Sequence, residues 1–311
     1  MIIKRNFHPL RVIQYVKGEM IFAAITAVIV YFLFKNEILN VTLPFSISAI
    51  LGSALAIFIA FRNNNSYSRW WEARTLWGGI INSSRVLARL IITFTDSHSH
   101  QPNYQREKSE NFKRELVYNV IAWAHALRLQ LRKQDSWSEI EHLLSAAEFE
   151  QLLNKQHKVN FLQLIIGQKI YAAMANQTLG GFDSFQMEGQ LLALVNYQGG
   201  CERIKNTPLL RQYDYFTRLF LYTFILLLPF SLIGDFTKMN IDYLVIPISI
   251  IISFVFAIIG KVGEVNEDPF ENRITDIPLS ALCNTIERDL KEMLGESNIP
   301  QKIEPQNGFL F

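Results

Sequence analysis

"PFSISAILGSALAIFIAFRNNNSYSRWWEAR", Pro44 to Arg74, changes character half-way along. No charge occurs before Arg62; then three arginines, three asparagines, one tyrosine and two tryptophans crowd the stretch from Phe61 to Arg74. An α-helix rises about 1.5 Å per residue, so about 20 apolar residues cross a hydrocarbon core about 30 Å thick. Leu43–Phe61 is long enough for that crossing. Pro44 suits the start of such a helix, where a missing N–H costs nothing.

Three further runs lack charge: Met20–Phe34, Leu219–Gly234 and Tyr243–Gly260. The shorter two, the first and the second of these, reach membrane length if Lys17, Lys35 or Arg218 snorkels toward headgroups. Composition agrees. Of 311 residues half are hydrophobic, 23 are phenylalanine, mean hydropathy is +0.13 and only 19% are charged. Soluble proteins carry about a quarter charged residues. A net charge of +2 is too small to argue for nucleic acid.

The runs form two close pairs, joined by eight-residue connectors, Lys35–Thr42 and Asp235–Asp242, with one lysine each. Basic residues gather elsewhere, at Lys4, Arg5, Arg11 and Lys17 before the first run and at Arg62, Arg69 and Arg74 after the second. Lysine and arginine excess marks the cytoplasmic side. Both termini and the block from Arg62 to about Tyr215 are therefore expected inside, in a multi-pass membrane protein. An N-terminal signal peptide fits poorly, because the charged lead is long and three more runs follow.

The block between the pairs reads as helical. Trp70, Ala73, Trp77, Ile80, Ser84, Leu87 and Ile91 share one helical face, and Leu116, Val120, Ala124, Leu127 and Leu131 share another. "TDSHSHQPNYQREKSEN" (Thr95–Asn111) reads as the loop between them. Helical stretches are also expected at Ser138–Asn154, Phe161–Ala175 and Phe182–Val195, and a loose tail from Pro300 onward. The expected division is 1–61, 62–215, 216–260 and 261–311. No strand-like alternation occurs.

Catalytic signals are weak. His98 and His100 stand near Asp96, but in a polar loop with no fourth ligand in reach. His125 sits among apolar helix residues and reads as a satisfied packing histidine. Cys201 and Cys283 lie 82 residues apart, outside any CxxC, and read as packed thiols in a reducing compartment. No HExxH, GxSxG or Walker pattern occurs. The reading is of a non-enzyme without cofactor or metal. A carrier would show charged midplane residues in broken helices, and none of the four runs has one.

Within the Leu43–Phe61 run, Ser46, Ile50, Ser53, Ile57 and Phe61 fall on one helical face. By periodicity alone this face reads first as helix packing, since small residues let membrane helices approach.

The stretch "PFSISAILGSALAIFIAFRNNNSYSRWWEARTLWG" (Pro44–Gly78) resembles the second membrane helix of the bestrophin family in its bacterial branch. "GGCERIKNTP" (Gly199–Pro208), "LLPFSLIGD" (Leu227–Asp235) and "EDPFENRITDIPLSALCNTIERDL" (Glu267–Leu290) agree with it, and the resemblance reaches about Gly295. It implies an all-α membrane protein of four transmembrane helices plus a cytosolic helical region. It implies a homopentamer in membrane lipid, with the second helix of each copy around one axial pore for small monovalent ions.

By the same resemblance, Ser53, Ile57 and Phe61 form the hydrophobic neck, Phe182 the cytosolic aperture, and Asn63, Asn64 and Asn65 polar groups where the pore widens. Ser53 departs from the family, which usually has a bulky apolar residue there. A hydroxyl ring would shorten the dry segment. The acidic run that clasps calcium in animal bestrophins also departs. After "DPF" come Glu271, Asn272, Arg273, Ile274, Thr275 and Asp276, too few carboxylates for a hard cation that takes about six to eight oxygens. Activation by calcium is not expected, and Glu267, Asp268 and Pro269 are expected to link the last span to a helix starting near Leu279. The resemblance implies chloride and other small anions as the family default, with monovalent cations such as sodium the alternative for a bacterial member. An apolar neck has no sign preference, and the bacterial character of the motifs tips the expectation slightly to cations. The alternative is a membrane-anchored scaffold that conducts nothing.

Overall fold

The computed structural model describes residues 1–4, 9–38, 42–97, 99, 100, 102 and 104–311, with side chains throughout except at 9–11. Arg5 and His98 lie outside the described residues, as does the side chain of Arg11. The helices are α1 (Pro9–Tyr15), α2 (Lys17–Lys35), α3 (Phe45–Ser97), α4 (Arg106–Arg132), α5 (Ala146–Leu153), α6 (Lys158–Ala175), α7 (Gly181–Asn206), α8 (Arg211–Lys238), α9 (Val245–Asn266) and α10 (Leu279–Met293). Among the described residues there is no strand, only isolated bridges. Four stretches are long and apolar enough to cross a membrane: Lys17–Lys35, Phe45–Ser97, Gly181–Lys238 and Asp242–Asn266.

The chain forms two units. Lys4–Trp70 with Pro208–Asp268 makes the apolar one; Met1–Ile3, Trp71–Thr207 and Pro269–Phe311 make the other. α3 contributes to both, because its helix does not end where its uncharged run ends. No glycine or proline interrupts Ser53–Trp77, so nothing local stops the helix.

In the apolar unit α2 packs on α8 and α9, and α8 on α9. α9 buries Ser249, Ser253, Ala257, Gly260 and Gly263, and α2 buries Ala23, Thr26, Ala27 and Val30. Small residues let membrane helices approach closely, which replaces the missing hydrophobic drive between helices in lipid. α3 joins through Gly52, where a Cβ would stand 3.1 Å from the Phe224 ring, and through Ser48, whose hydroxyl donates to Ser231 Oγ at 2.7 Å.

In the second unit α4 is the core. Leu116, Val120, Trp123 and Leu127 are fully buried, against α6, α10 and a 3-10 turn at Trp137–Leu143. Four expectations need correction here. Ser138–Asn154 is not one helix: Ser145 caps a fresh start at α5, with its side chain taking the Glu148 N–H while Glu148 returns to the Ser145 N–H. That reciprocal capping box satisfies two donors that a continuous helix would have paired otherwise. α7 runs eleven residues past Val195, because its paired glycines make room for a neighbour instead of breaking the helix. A Cβ on Gly200 would meet Leu76 at 2.9 Å, and one on Gly79 of α3 would meet the Tyr197 ring at 2.5 Å. The loop expected at Thr95–Asn111 is shorter at both ends, since α3 reaches Ser97 and α4 starts at Arg106.

The tail is not loose. Asn284 donates to Gln301 O at 3.1 Å, Arg288 to Pro300 O at 3.1 Å, and the Ala281 N–H to Phe311 O at 2.8 Å. The Ile3 N–H donates to Gly308 O and the Leu310 N–H to Met1 O, at 2.9 Å each. Polar side chains of α10 hold the tail, and hydropathy could not show that.

The adjacent glycines Gly78 and Gly79 of α3 give a paired test. Gly79→Ala costs about 1–3 kcal/mol through the clash with Tyr197. Gly78→Ala, whose methyl would meet only Arg74 Nη1 at 3.6 Å, is neutral or gains up to about 1 kcal/mol of helix propensity. Thermal melts of both variants in detergent check this, and equal shifts would contradict the packing.

Candidate pore-lining face of α3

Between Phe45 and Trp70, α3 buries Ser48, Gly52, Leu55, Ile59, Arg62 and Ser66. The steps are four, three, four, three and four residues, so the buried positions make one continuous stripe. At about 100° per residue, the face opposite that stripe carries Ser46, Ile50, Ser53, Ile57 and Asn64, flanked by Phe61. All of these are exposed, and Ile50, Ile57 and Phe61 are so at 70%, 57% and 62%. Large apolar side chains turned away from their own unit need another partner: lipid, another chain or a pore. No residue of this face is charged from Ser46 to Ser68. Ser53 Oγ donates to Ala49 O at 2.8 Å, the usual back-bond of a helical serine. Its proton is thereby committed, and only lone pairs face outward.

The three asparagines part company. Asn64 and Asn65 are exposed. Asn63 is half-buried, and its Nδ2 donates to Ile259 O of α9 at 2.8 Å. A Cβ on Gly263 would collide with its Oδ1. This corrects the grouping of all three as pore-facing polar groups, for Asn63 ties α3 to α9.

Arg62 is the residue whose partners sequence reading did not foresee. Read there as one of several basic residues facing the cytoplasm, it is 2% exposed. It meets Asp214 Oδ1 of α8 at 2.7 Å and Glu267 Oε2 beyond α9 at 3.4 Å, and donates to Gly260 O at 3.4 Å. Arg211 approaches Glu267 at 3.5 Å from the outside. Burial raises the Glu267 carboxyl above its ordinary value against the pull of Arg62, with Asp268 adding to the rise. The hint lay in the sequence: Arg62 continues the stripe of Leu55 and Ile59, so a helical projection puts it inside.

Phe182 belongs to the other unit. It follows the Gly180 N-cap as the second residue of α7 and is 71% exposed, with Phe185 beside it at 72%. It is not a packed core aromatic. In the same unit, Asp276 Oδ2 accepts from the Arg273 N–H at 3.0 Å and Glu271 takes Lys205 at 2.5 Å. These two carboxylates are therefore tied to protein groups. His125 meets Glu287 at 3.2 Å, and Lys291 donates to the same carboxylate at 2.7 Å. Burial opposes the Glu287 charge, yet those two partners hold its carboxyl down to about 2. Both cysteines are buried, and burial pushes the Cys283 thiol up to about 12, which fits the packed reading. Among the described residues no three His, Cys, Asp or Glu side chains converge as a metal site.

The model for bacterial and fungal bestrophin proteins matches residues 7–292. This chain belongs to the bestrophin family. The bestrophin is 32% identical over 319 aligned positions to the voltage-dependent anion channel-forming protein YneE of Escherichia coli K12, covering 99% of each chain. It is 31% identical over 261 positions to the voltage-dependent anion channel-forming protein RSc3414 of Ralstonia nicotianae, covering 83% of this chain and 79% of that one. A crystal structure of a bacterial bestrophin homologue from Klebsiella pneumoniae superposes with a TM-score of 0.79 at 31% identity, covering 90% of this chain and 99% of that one. The all-α architecture with four membrane helices is thus the family's own.

Removing one partner from a buried ion pair strands the other charge, at about 3–5 kcal/mol. Arg62→Gln therefore lowers the melting temperature of this bestrophin in detergent by at least about 6 °C, at about 2–4 °C per kcal/mol for a chain this size. An unchanged melting temperature would mean that the pairing holds nothing together.

Proposed function

We propose that this bestrophin is an ion channel of the bacterial inner membrane, in which five copies surround one axial pore lined by α3. The observation that carries the reading is the opposition of faces on α3. One stripe is buried in its own unit, and the opposite face is exposed and uncharged. A ring of identical contacts that closes on itself places such a face on the symmetry axis. Ile57 and Phe61 then form apolar rings that gate by dewetting. Ser53 ends the dry segment on the outer side, and Asn64 and Asn65 begin the wet one. Phe182, unsupported by packing in its own unit, is proposed as the cytosolic aperture. Both termini lie in the cytoplasm by the distribution of lysine and arginine.

Small anions are the first reading of what passes, because the Escherichia and Ralstonia relatives bear the words anion channel-forming in their names. Monovalent cations are the second, favoured by one observation: the Ser53 proton is committed to Ala49 O, so a ring of such serines offers ions lone pairs only. Calcium does not gate, since Asp276 is committed to its own loop and Glu271 to Lys205.

Planar bilayers holding the purified protein under a salt gradient test these points together. A current reversing near the chloride equilibrium potential supports anions, and one reversing near the cation potential supports the second reading. No current under any gradient would overturn the channel. Ser53→Ile lengthens the dry neck and lowers the flux severalfold, and chelating calcium leaves the current unchanged.

A further inference from the structure

The exposed face of α3 does not end with the uncharged run. α3 is one helix from Phe45 to Ser97. Beyond Asn64 the exposed residues of this face continue as Ser68, Trp71, Thr75, Asn82 and Arg89, with the half-buried Gly78 between Thr75 and Asn82. The steps are four, three, four, three, four and seven residues, the spacing of one helical face. At about 100° per residue, Arg89 lies about 20° from the line through Asn64 and Asn82. The charged residues of α3 before it stand off that line, Arg85 by about 60°, Glu72 and Arg74 by about 80°, and Arg62 and Arg69 on the far side. Arg89 is thus the first charge on a face that is neutral from Ser46 onward.

Its neighbours are neutralised and it is not. Arg85, one turn earlier, gives Nε and Nη2 to Asp289 Oδ2 at 2.8 and 2.6 Å. Asp96, near the helix end, is paired with Lys113. Arg89 is exposed, and its guanidinium makes no ion pair or hydrogen bond among the described residues. A paired arginine presents a dipole; an unpaired one presents a full positive charge.

We propose that Arg89, repeated in each copy around the axis, sets the sign of the permeant ion. It forms a ring of fixed positive charge on the α3 wall that concentrates small anions and depletes cations. This rests on the reading of α3 as the pore wall. Rings of arginine or lysine select anions in this way, because the local potential raises the concentration of counter-ions. Ser53, Ile57, Phe61, Asn64 and Asn65 carry no formal charge, so the choice falls to the first residue of the face that does.

Reversal potentials in planar bilayers under a sodium chloride gradient test it. Wild type reverses near the chloride potential. Arg89→Gln lowers the chloride-to-sodium permeability ratio severalfold, and Arg89→Glu brings it to unity or below. Arg85→Gln, off the face, leaves the ratio within twofold of wild type. Arg89→Cys behaves as the glutamine variant until an aminoethyl thiosulfonate adds a positive charge and restores the ratio. A sulfonatoethyl thiosulfonate does not restore it, and the native Cys201 and Cys283 are buried. That rescue by charge separates an electrostatic role from a structural one. Raising the salt from about 0.15 M to about 1 M shortens the Debye length from about 8 Å to about 3 Å, and the wild-type ratio falls with it. A wild-type current that reverses near the sodium potential, or Arg89 variants with the wild-type ratio, would overturn the role of Arg89 while the channel stands. Absence of any wild-type current would instead remove the pore reading beneath it.

Discussion

Arg62 sits where α3 leaves its uncharged run, and its guanidinium is almost fully withdrawn from solvent. A buried cation is tolerated only when paired and hydrogen-bonded. Asp214 on α8, Glu267 beyond α9 and the Gly260 carbonyl on α9 supply that pairing. The consequence is geometric. Three membrane helices are pinned at one charged point, and rotation of α3 about its axis would strand the charge. Asn63 adds a second fixing, to Ile259. With the rotation set, Ser53 and Ile57 have one direction left to face, which is away from their own unit.

Family membership gives that direction a meaning. A soluble protein with Ile50, Ile57 and Phe61 exposed on one helix would be prone to aggregate. Under the proposed function the same residues would line a narrow, dry passage. The division of labour along α3 follows its sequence closely. Small and apolar residues alternate while the helix is uncharged, and the charged and amide residues arrive together at its end.

The spans, the helical block and the exposed face of α3 were legible because each depends on periodicity and charge, which are local. "PFSISAILGSALAIFIAF" states its own length and polarity. Tertiary chemistry was not legible in the same way. Arg62 reads as one more cytoplasmic-side arginine unless the stripe through Leu55 and Ile59 is carried one step further. The helix expected to end at Val195 runs on through Gly200, because the Leu76 side chain that fills the space there belongs to another helix. The tail from Pro300 reads as loose, because its partners Asn284 and Arg288 are polar residues on the face of α10. The capping box at Ser145 was visible in principle, as Ser-x-x-Glu, and was passed over inside an apolar stretch.

The central claim is that the face opposite the buried stripe lines the ion path. Cysteine accessibility in reconstituted bilayers measures it directly, since the chain's own Cys201 and Cys283 are buried. A water-soluble thiosulfonate applied to Ile57→Cys should block most of the current, while Leu55→Cys and Ile59→Cys on the buried stripe should be unaffected. Block at Leu55 or Ile59 with none at Ile57 would contradict the account.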